Sequence, residues 1–280
     1  MKVSYYPGCS LHGTGREYDE SAQAVCKALD VELCELDDWN CCGASSAHVT
    51  DELLSIALPA RNLAIAEKKG LELVVPCAAC YHALKRAQKG LAEAPEIQTE
   101  YRGGVEVKSL LDFLSQDLNL AKITERVKRP LAGLKAVCYY GCLLVRPPKV
   151  SGASDWEDPK SMDRLLAALG VEVRPWSYKT DCCGGSLAIP RVDIVKKLTR
   201  NLLDAALEAG ANCMVTACPL CHANLDTRQE EISLESGSSY ELPIFYFTEL
   251  MGLAFDGKGV GKWLRRHLVD PRKLLSSLGY

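Results

Sequence analysis

The stretch Cys41-Cys42-Gly43 recurs as Cys182-Cys183-Gly184, and each copy sits inside the same larger cysteine frame. In the first copy Cys9 precedes the pair by 31 intervening residues, and Cys77-Ala78-Ala79-Cys80 follows it after 34. In the second, Cys142 precedes the pair by 39 and Cys218-Pro219-Leu220-Cys221 follows after 34. From the pair onward all four cysteines keep a single offset of 141 positions, so the chain is an internal duplication. Adjacent side chains on an extended strand point to opposite faces, so two neighbouring thiols serve one site only where the backbone turns. Gly43 and Gly184 permit that turn, because glycine adopts positive φ without a Cβ clash and lets backbone N–H groups approach a bound anion.

Around these frames, short apolar runs alternate with helical periodicity. Val3–Tyr6, Val31–Cys34, Leu71–Val75 and 105–107 read as strands, separated by helices over Glu17–Leu29, Leu53–Lys69 (closed by Gly70) and 77–88, with another over 109–118. The second half repeats the order, with strands at 134–140, 171–173, 213–216 and 244–247 and helices at 161–169, 191–209 and 248–253. Val107-Lys108-Ser109-Leu110-Leu111 pairs by pattern with Phe247-Thr248-Glu249-Leu250. The expected class is α/β, two homologous Rossmann-like halves, each a mostly parallel sheet with helices on both faces. Lys128-Arg129-Pro130 breaks the periodicity, which divides the chain into 1–128, 129–256 and a basic helical tail over 257–280. Every framed cysteine follows the carboxyl end of a strand, where ligands of open α/β sheets bind, so five thiols converge in each half. The helices leaving those loops aim their N-termini at the site, which favours an anionic group.

With 48% apolar residues the chain has a core that needs no disulfides to hold it. A net charge of −3 provides no broad basic surface, so no nucleic-acid partner is expected. No apolar run reaches the ~20 residues of a membrane span. The opening Met1-Lys2-Val3-Ser4-Tyr5-Tyr6 lacks the apolar core of an export signal, so the expected compartment is the cytoplasm. In that reducing setting, fourteen cysteines read as metal or redox ligands.

Zinc takes four thiolates, usually from two local pairs, and leaves the fifth unexplained. A cubane 4Fe-4S cluster also takes four, and the closely spaced ferredoxin run is absent. An iron–sulfur cluster of unusual ligation accounts for five, with zinc in one half as the alternative. Cys218-Pro219-Leu220-Cys221-His222 matches the c-type haem motif, but in the other copy His82 falls one place late. His82 and His222 read as supporting or helix-surface residues. Cys26, Cys34, Cys138 and Cys213 lie outside the repeat and read as small buried hydrophobes. His12 and Arg16 follow Cys9, and Arg146 follows Cys142; these are solvated loop residues or the groups that receive an anionic substrate between the halves. The basic residues of the tail form a charged helix face or a dock for an acidic partner.

The two frames resemble the CCG domains of the B-type subunit of heterodisulfide reductase. So do the openings Tyr5-Tyr6-Pro7-Gly8-Cys9 and Tyr139-Tyr140-Gly141-Cys142, the stretch Pro219–Asp226 and the ending His267-Leu268-Val269-Asp270-Pro271. The resemblance implies two noncubane 4Fe-4S clusters, one on Cys9, Cys41, Cys42, Cys77 and Cys80, the other on Cys142, Cys182, Cys183, Cys218 and Cys221. It implies reduction, or reversible formation, of a small or protein-bound disulfide between the clusters, with no catalytic residue beyond the ligands. Electrons would come from a ferredoxin-like C-type subunit and a flavin-containing A-type subunit, since this chain carries no flavin or cubane motif. Similar subunits beside dehydrogenases imply the alternative, an electron relay without its own disulfide substrate.

Overall fold

Each short apolar run becomes a strand of a parallel sheet, and this happens twice. The structure, a computed structural model, describes residues 1–118 and 120–280. Strands β1 (Lys2–Tyr5), β2 (Glu32–Glu35), β3 (Leu73–Val75) and β4 (Val107–Ser109) form one sheet in the order β2-β1-β3-β4. Strands β5 (Lys135–Tyr139), β6 (Glu172–Val173), β7 (Cys213–Thr216) and β8 (Ile244–Tyr246) form the second in the order β6-β5-β7-β8. All pairings are parallel. The helix Glu52–Lys69 starts where the Asp51 carboxylate accepts from Leu54 N at 2.9 Å and stops at Gly70, whose φ of 64° only glycine adopts readily.

Two expectations fail in detail. Strand β4 starts two residues late because the Val105 carbonyl is taken by the Gln88 side chain at 2.9 Å instead of by a neighbouring strand. The helix after it is a single α-turn, Leu110–Asp112, followed by a π-turn, Phe113–Asp117. The pattern match of 107–111 with 247–250 is also off by three. Leu73 pairs with Val107 and Met214 with Ile244, and Leu73 and Met214 keep the cysteine offset, so Ser109 corresponds to Tyr246 and Asp112 to Glu249.

The halves exchange their last helices. Phe247–Ala254 packs on Arg16–Ala28 of the first half, and Leu120–Arg126 packs on Ser161–Ala168 of the second. Ser21 Oγ and Thr248 Oγ1 meet at 2.6 Å within the first contact, both fully buried. One apolar cluster runs through both halves.

The tail has two short helices, Val260–Leu264 and Arg272–Ser277, and lies against its own protein with Trp263, Leu264 and Leu275 buried. Lys262 and Arg266 both reach Glu20, at 2.9 and 2.8 Å. His267 Nε2 lies 2.9 Å from Glu249 Oε1 with both side chains fully buried, and the Asp226 carboxylate accepts from Leu268 N and Val269 N. Burial lowers the pKa of His267, but the Glu249 carboxylate outweighs it, helped by Asp226 and Glu17, and pushes it up to about 9; His222 also faces the ring. A pKa raised above the ordinary 6.5 stabilises the fold fully below that value and loses the stabilisation as pH rises through the folded value. The unfolding free energy of the chain minus that of His267→Gln is therefore expected to shrink between pH ~6.5 and ~9, as measured by urea denaturation at a series of pH values.

Candidate functional site

Cys9 and Cys142 follow β1 and β5, the two Cys-Cys pairs follow β2 and β6, and Cys77 and Cys218 follow β3 and β7. Cys77 and Cys218 are the N-caps of the helices Ala78–Gly90 and Pro219–Thr227, so Cys80 and Cys221 lie in the first turn of each, beside free backbone N–H groups. In the first half Cys9 Sγ lies 4.0 Å from Cys41 Sγ and Cys42 Sγ lies 3.2 Å from Cys80 Sγ, while Cys80 also bonds Cys77. In the second half all five thiols, of Cys142, Cys182, Cys183, Cys218 and Cys221, line one cavity of about 150 Å³, with Leu143, Leu187, Leu198 and Leu220 completing its wall.

The backbone turn that lets paired thiols converge is present in both copies. Gly43 has φ 72° and Gly184 φ 79°, and each donates its N–H back to the first thiol of its pair, at 3.5 Å to Cys41 and 3.3 Å to Cys182. The thiols share protons unevenly. The Cys142 thiol donates to Cys182 and, against the opposing effect of burial, the Gly184 and Gly185 amides also point at it, so its pKa is pushed down to about 6. Cys142 is correspondingly pushed far up, first by that hydrogen bond and then by burial. A set in which protons leave some sulfurs and crowd onto others is suited to an electrophilic group that takes them all as thiolates.

Three exposed thiols, Cys9, Cys41 and Cys182, mark the solvent side, and Cys77 and Cys218 mark the inside. The last two are buried and face each other across the seam between the halves closely enough that each shifts the other's pKa, Cys77 up and Cys218 down. The Tyr18 hydroxyl is shared between the carbonyls just before them, 3.2 Å from Pro76 O and 3.3 Å from Ala217 O.

Several residues that shape the site escaped the sequence reading. Tyr6 donates to Asn40 O at 2.8 Å and Tyr139 donates to Asp181 O at 2.7 Å, each fixing the carbonyl just before a Cys-Cys pair. The structural equivalent of Tyr139 is thus Tyr6, and Tyr140 takes the place of Pro7, which counting back from Gly8-Cys9 and Gly141-Cys142 would have revealed. Asn62, fully buried, clamps both backbone groups of Asn40, and Asn224 donates to Cys183 O at 3.0 Å.

The anion-receiving candidates do not gather. His12 pairs with Glu35 at 3.1 Å and packs on Trp39, Arg16 bonds the His12 carbonyl, and Arg146 stacks over Trp156 in the other half. His82 Nε2 is buried without a partner among the described residues. His222 is not a helix-surface residue: it lies between Ile244 O and His267 and stacks on Tyr246. Cys26, Cys138 and Cys213 are fully buried as expected, whereas Cys34 is half-buried because β2 is an edge strand.

The donor set fits a cluster of several metal atoms. Among the described residues no group of three or more His, Cys, Asp or Glu side chains is arranged to hold a single ion, yet the second-half thiols ring a volume larger than one ion.

The two glycine turns are not equally tolerant. A Cβ on Gly43 would lie 2.7 Å from Ala47 Cβ and 2.9 Å from Leu58 Cδ1, whereas one on Gly184 would lie 3.1 Å from Val195 Cγ2. Gly184→Ala is expected to cost about 1–2 kcal/mol from the left-handed backbone alone, and Gly43→Ala clearly more, in denaturant unfolding of the two variants.

Residues 3–85 and 136–226 each match the family described as the cysteine-rich domain, CCG. The chain is 33% identical to the 8-methylmenaquinol:fumarate reductase membrane anchor subunit of Wolinella succinogenes, over 98% of this chain and 99% of that one. It is 28% identical to the B-type subunit of the ferredoxin:CoB-CoM heterodisulfide reductase of Methanosarcina mazei, over 90% and 89%. No helix among the described residues is long and apolar enough to cross a membrane. The fold is shared with a crystal structure of a hypothetical protein from Helicobacter pylori, at a TM-score of 0.77 and 13% identity, covering 96% of this chain and 52% of that one. The chain therefore spans about half the length of that solved protein. With two family matches inside one duplicated frame, and with relatives aligned over nearly its whole length that include B-type subunits of heterodisulfide reductase, the chain belongs to the CCG cysteine-rich domain family.

Proposed function

We propose that the chain is an iron–sulfur oxidoreductase subunit with two noncubane 4Fe-4S clusters. One would be held by Cys9, Cys41, Cys42, Cys77 and Cys80, the other by Cys142, Cys182, Cys183, Cys218 and Cys221. The pair would reduce or form a disulfide, with electrons exchanged through a ferredoxin-like subunit and a flavin-bearing subunit in the reducing cytoplasm. In this reading residues 1–128 and 129–256 are two halves of one working unit, and 257–280 is a tail bound to both, through Glu20 of the first and Asp226 and Glu249 of the second. The observation that carries it is that five thiols line one cavity in the second half while Tyr18 ties together the backbone just before Cys77 and just before Cys218.

The bound clusters supply one-electron steps at iron. Cleaving R–S–S–R′ to two thiols takes two electrons and two protons, so two one-electron sites, one in each half, would match the requirement, whereas a lone one-electron site would release a thiyl radical. The chain's own residues arrange this. Tyr18 ties the backbone before Cys77 to the backbone before Cys218 and so fixes the separation of the two sites. Leu143, Leu187, Leu198 and Leu220 keep water from the second cavity, and the Gly184 and Gly185 amides offset charge on Cys182.

A second reading, an electron relay within a dehydrogenase complex, is favoured by one observation: His12, Arg16 and Arg146 are engaged by their own neighbours instead of facing a common substrate space. The full-length likeness to a fumarate reductase subunit points the same way. A panel of low-molecular-weight disulfides separates the two. Changed EPR spectra of the oxidised protein together with turnover support disulfide chemistry; unchanged spectra with electrons still passing to a partner support the relay.

Anaerobically purified protein is expected to carry about eight irons and matching acid-labile sulfide per chain. Alanine at any of the ten framed cysteines should remove or rearrange the cluster of that half. Alanine at Cys26, Cys138 or Cys213 should leave iron intact and cost about 1 kcal/mol or more as a small cavity. Cys142→Ala beside Cys138→Ala is the decisive pair, because loss of iron from the second alone would move the frame.

A further inference from the structure

The tail closes a site beside the second sheet whose counterpart beside the first sheet is open. The cysteine offset relates Tyr81 to His222 and Lys85 to Asp226, the β4/β8 register relates Asp112 to Glu249, and the helix ends at Val31 and Val171 relate Glu20 to Lys160. Beside the second sheet each of these positions grips the tail: His222 and Glu249 hold His267, Asp226 holds Leu268 N and Val269 N, and Glu20, brought across from the first half by its helix, holds Lys262 and Arg266. Beside the first sheet, Tyr81, Lys85 and Asp112 line a cavity of about 690 Å³ together with Lys160, brought across from the second half.

The sequence accounts for the opening. Tyr246, which stacks between Tyr18 and His222, is replaced by Ser109. The helix Ser161–Ala168 begins later than its counterpart Arg16–Ala28, so the position of Tyr18 falls on Asp158, ahead of the helix. Charge is inverted at two of the four gripping positions, Asp226 becoming Lys85 and Glu20 becoming Lys160. Arg164 and Lys108 add two more cations; Lys108 pairs with Glu72 and Glu106, whereas the side chains of Arg164 and Lys85 have no hydrogen bond or ion pair among the described residues. Glu106, Asp112 and Asp155 also reach the cavity, so its cations are not a bare field; the tail side, by contrast, presents Glu20, Asp226 and Glu249 to a basic segment.

We propose that this cavity docks an acidic, extended segment of a partner polypeptide, which occupies beside the first sheet the place that residues 257–269 occupy beside the second. The occupant is a polypeptide because the equivalent site is filled by one, which satisfies it with backbone N–H groups as well as side chains. It is acidic because the tail that fits the acidic version is basic. Tyr81 adjoins Cys80, and Tyr140 lines both this cavity and the thiol-lined one, so a docked segment lies against both cysteine sites. The inference is independent of which group the thiols hold.

The test uses the full chain and a synthetic peptide with the sequence of residues 257–269 in which Lys258, Lys262, Arg265 and Arg266 are replaced by Glu. By calorimetric titration this peptide is expected to bind at least about tenfold more tightly than the unmodified sequence, with an affinity that falls as salt rises. Amide-exchange protection should appear over 78–90 and 151–164. The double variant Lys85→Glu, Arg164→Glu should reverse the preference with its melting temperature unchanged; if it does not fold, the protection map of the unaltered chain decides. Equal binding of both peptides, binding of neither, or protection elsewhere overturns the proposal. Citrate that fills the cavity and displaces the peptide at equal concentration overturns it in favour of a small-anion pocket.

Discussion

The Tyr18 hydroxyl, held between the Pro76 and Ala217 carbonyls, is the contact on which the two sites depend. Those carbonyls end β3 and β7, and the next residues are the two buried cysteines that meet across the seam. An exposed seam would fill with water and the polar backbone at the strand ends would be solvated separately in each half. A buried one must satisfy both carbonyls from inside, and one phenol shared between them does so while setting their spacing. Tyr18 is itself held by the stacked ring of Tyr246, at 4.2 Å, and by the helix exchange that carries Tyr246's neighbours onto Arg16–Ala28.

From that seam outward, the parallel topology does the remaining placement. A parallel strand needs a crossover, so each strand end is followed by a loop and a helix, and three such loops per half bring five sulfurs to one end of the sheet. Rigid β-strand ends position the sulfurs more tightly than free loops would. The Cys-Cys loops, which have no helix N-cap to hold them, are instead pinned from below by Tyr6 and Tyr139 and, in the first half, by Asn62.

The strands, most helix ends and the convergence of the framed cysteines are legible in the sequence because each rests on a local signal: periodicity, a glycine stop, or a residue type repeated at fixed spacing. Gly43 and Gly184 are read correctly because positive φ has a local steric cause. What is not legible depends on partners distant in the chain. Val105 leaves β4 because Gln88 claims its carbonyl, Cys34 is half-exposed because β2 lies at the sheet edge, and His222 is drawn inward by His267, 45 residues away. The repeat itself misled at two points. Insertions shift its offset from 133 at Gly8 and Gly141 to 141 at the cysteine pairs and 137 at β4 and β8, and a pattern match cannot see which offset hydrogen-bonded strands enforce.

Duplication would make the two sites alike, so the places where they differ carry the information. Both halves keep the thiols, the two glycine turns and the tyrosine under each pair, which are the features that hold a common group. The flanks of the two sheets differ at Tyr18, Tyr246 and the tail, where the flank of the second sheet is sealed by the chain itself, and at Ser109, Lys85 and Lys160, where the flank of the first sheet is left open and recharged. Sealing one flank with buried charges such as His267 and Glu249 is costly unless every partner is present, and here the two hold each other while His222 faces His267 and the Tyr246 N–H donates to Glu249. An equally elaborate set of charged residues on the other flank, with two of its cations unpartnered, is the same device lacking its inserted strand of chain.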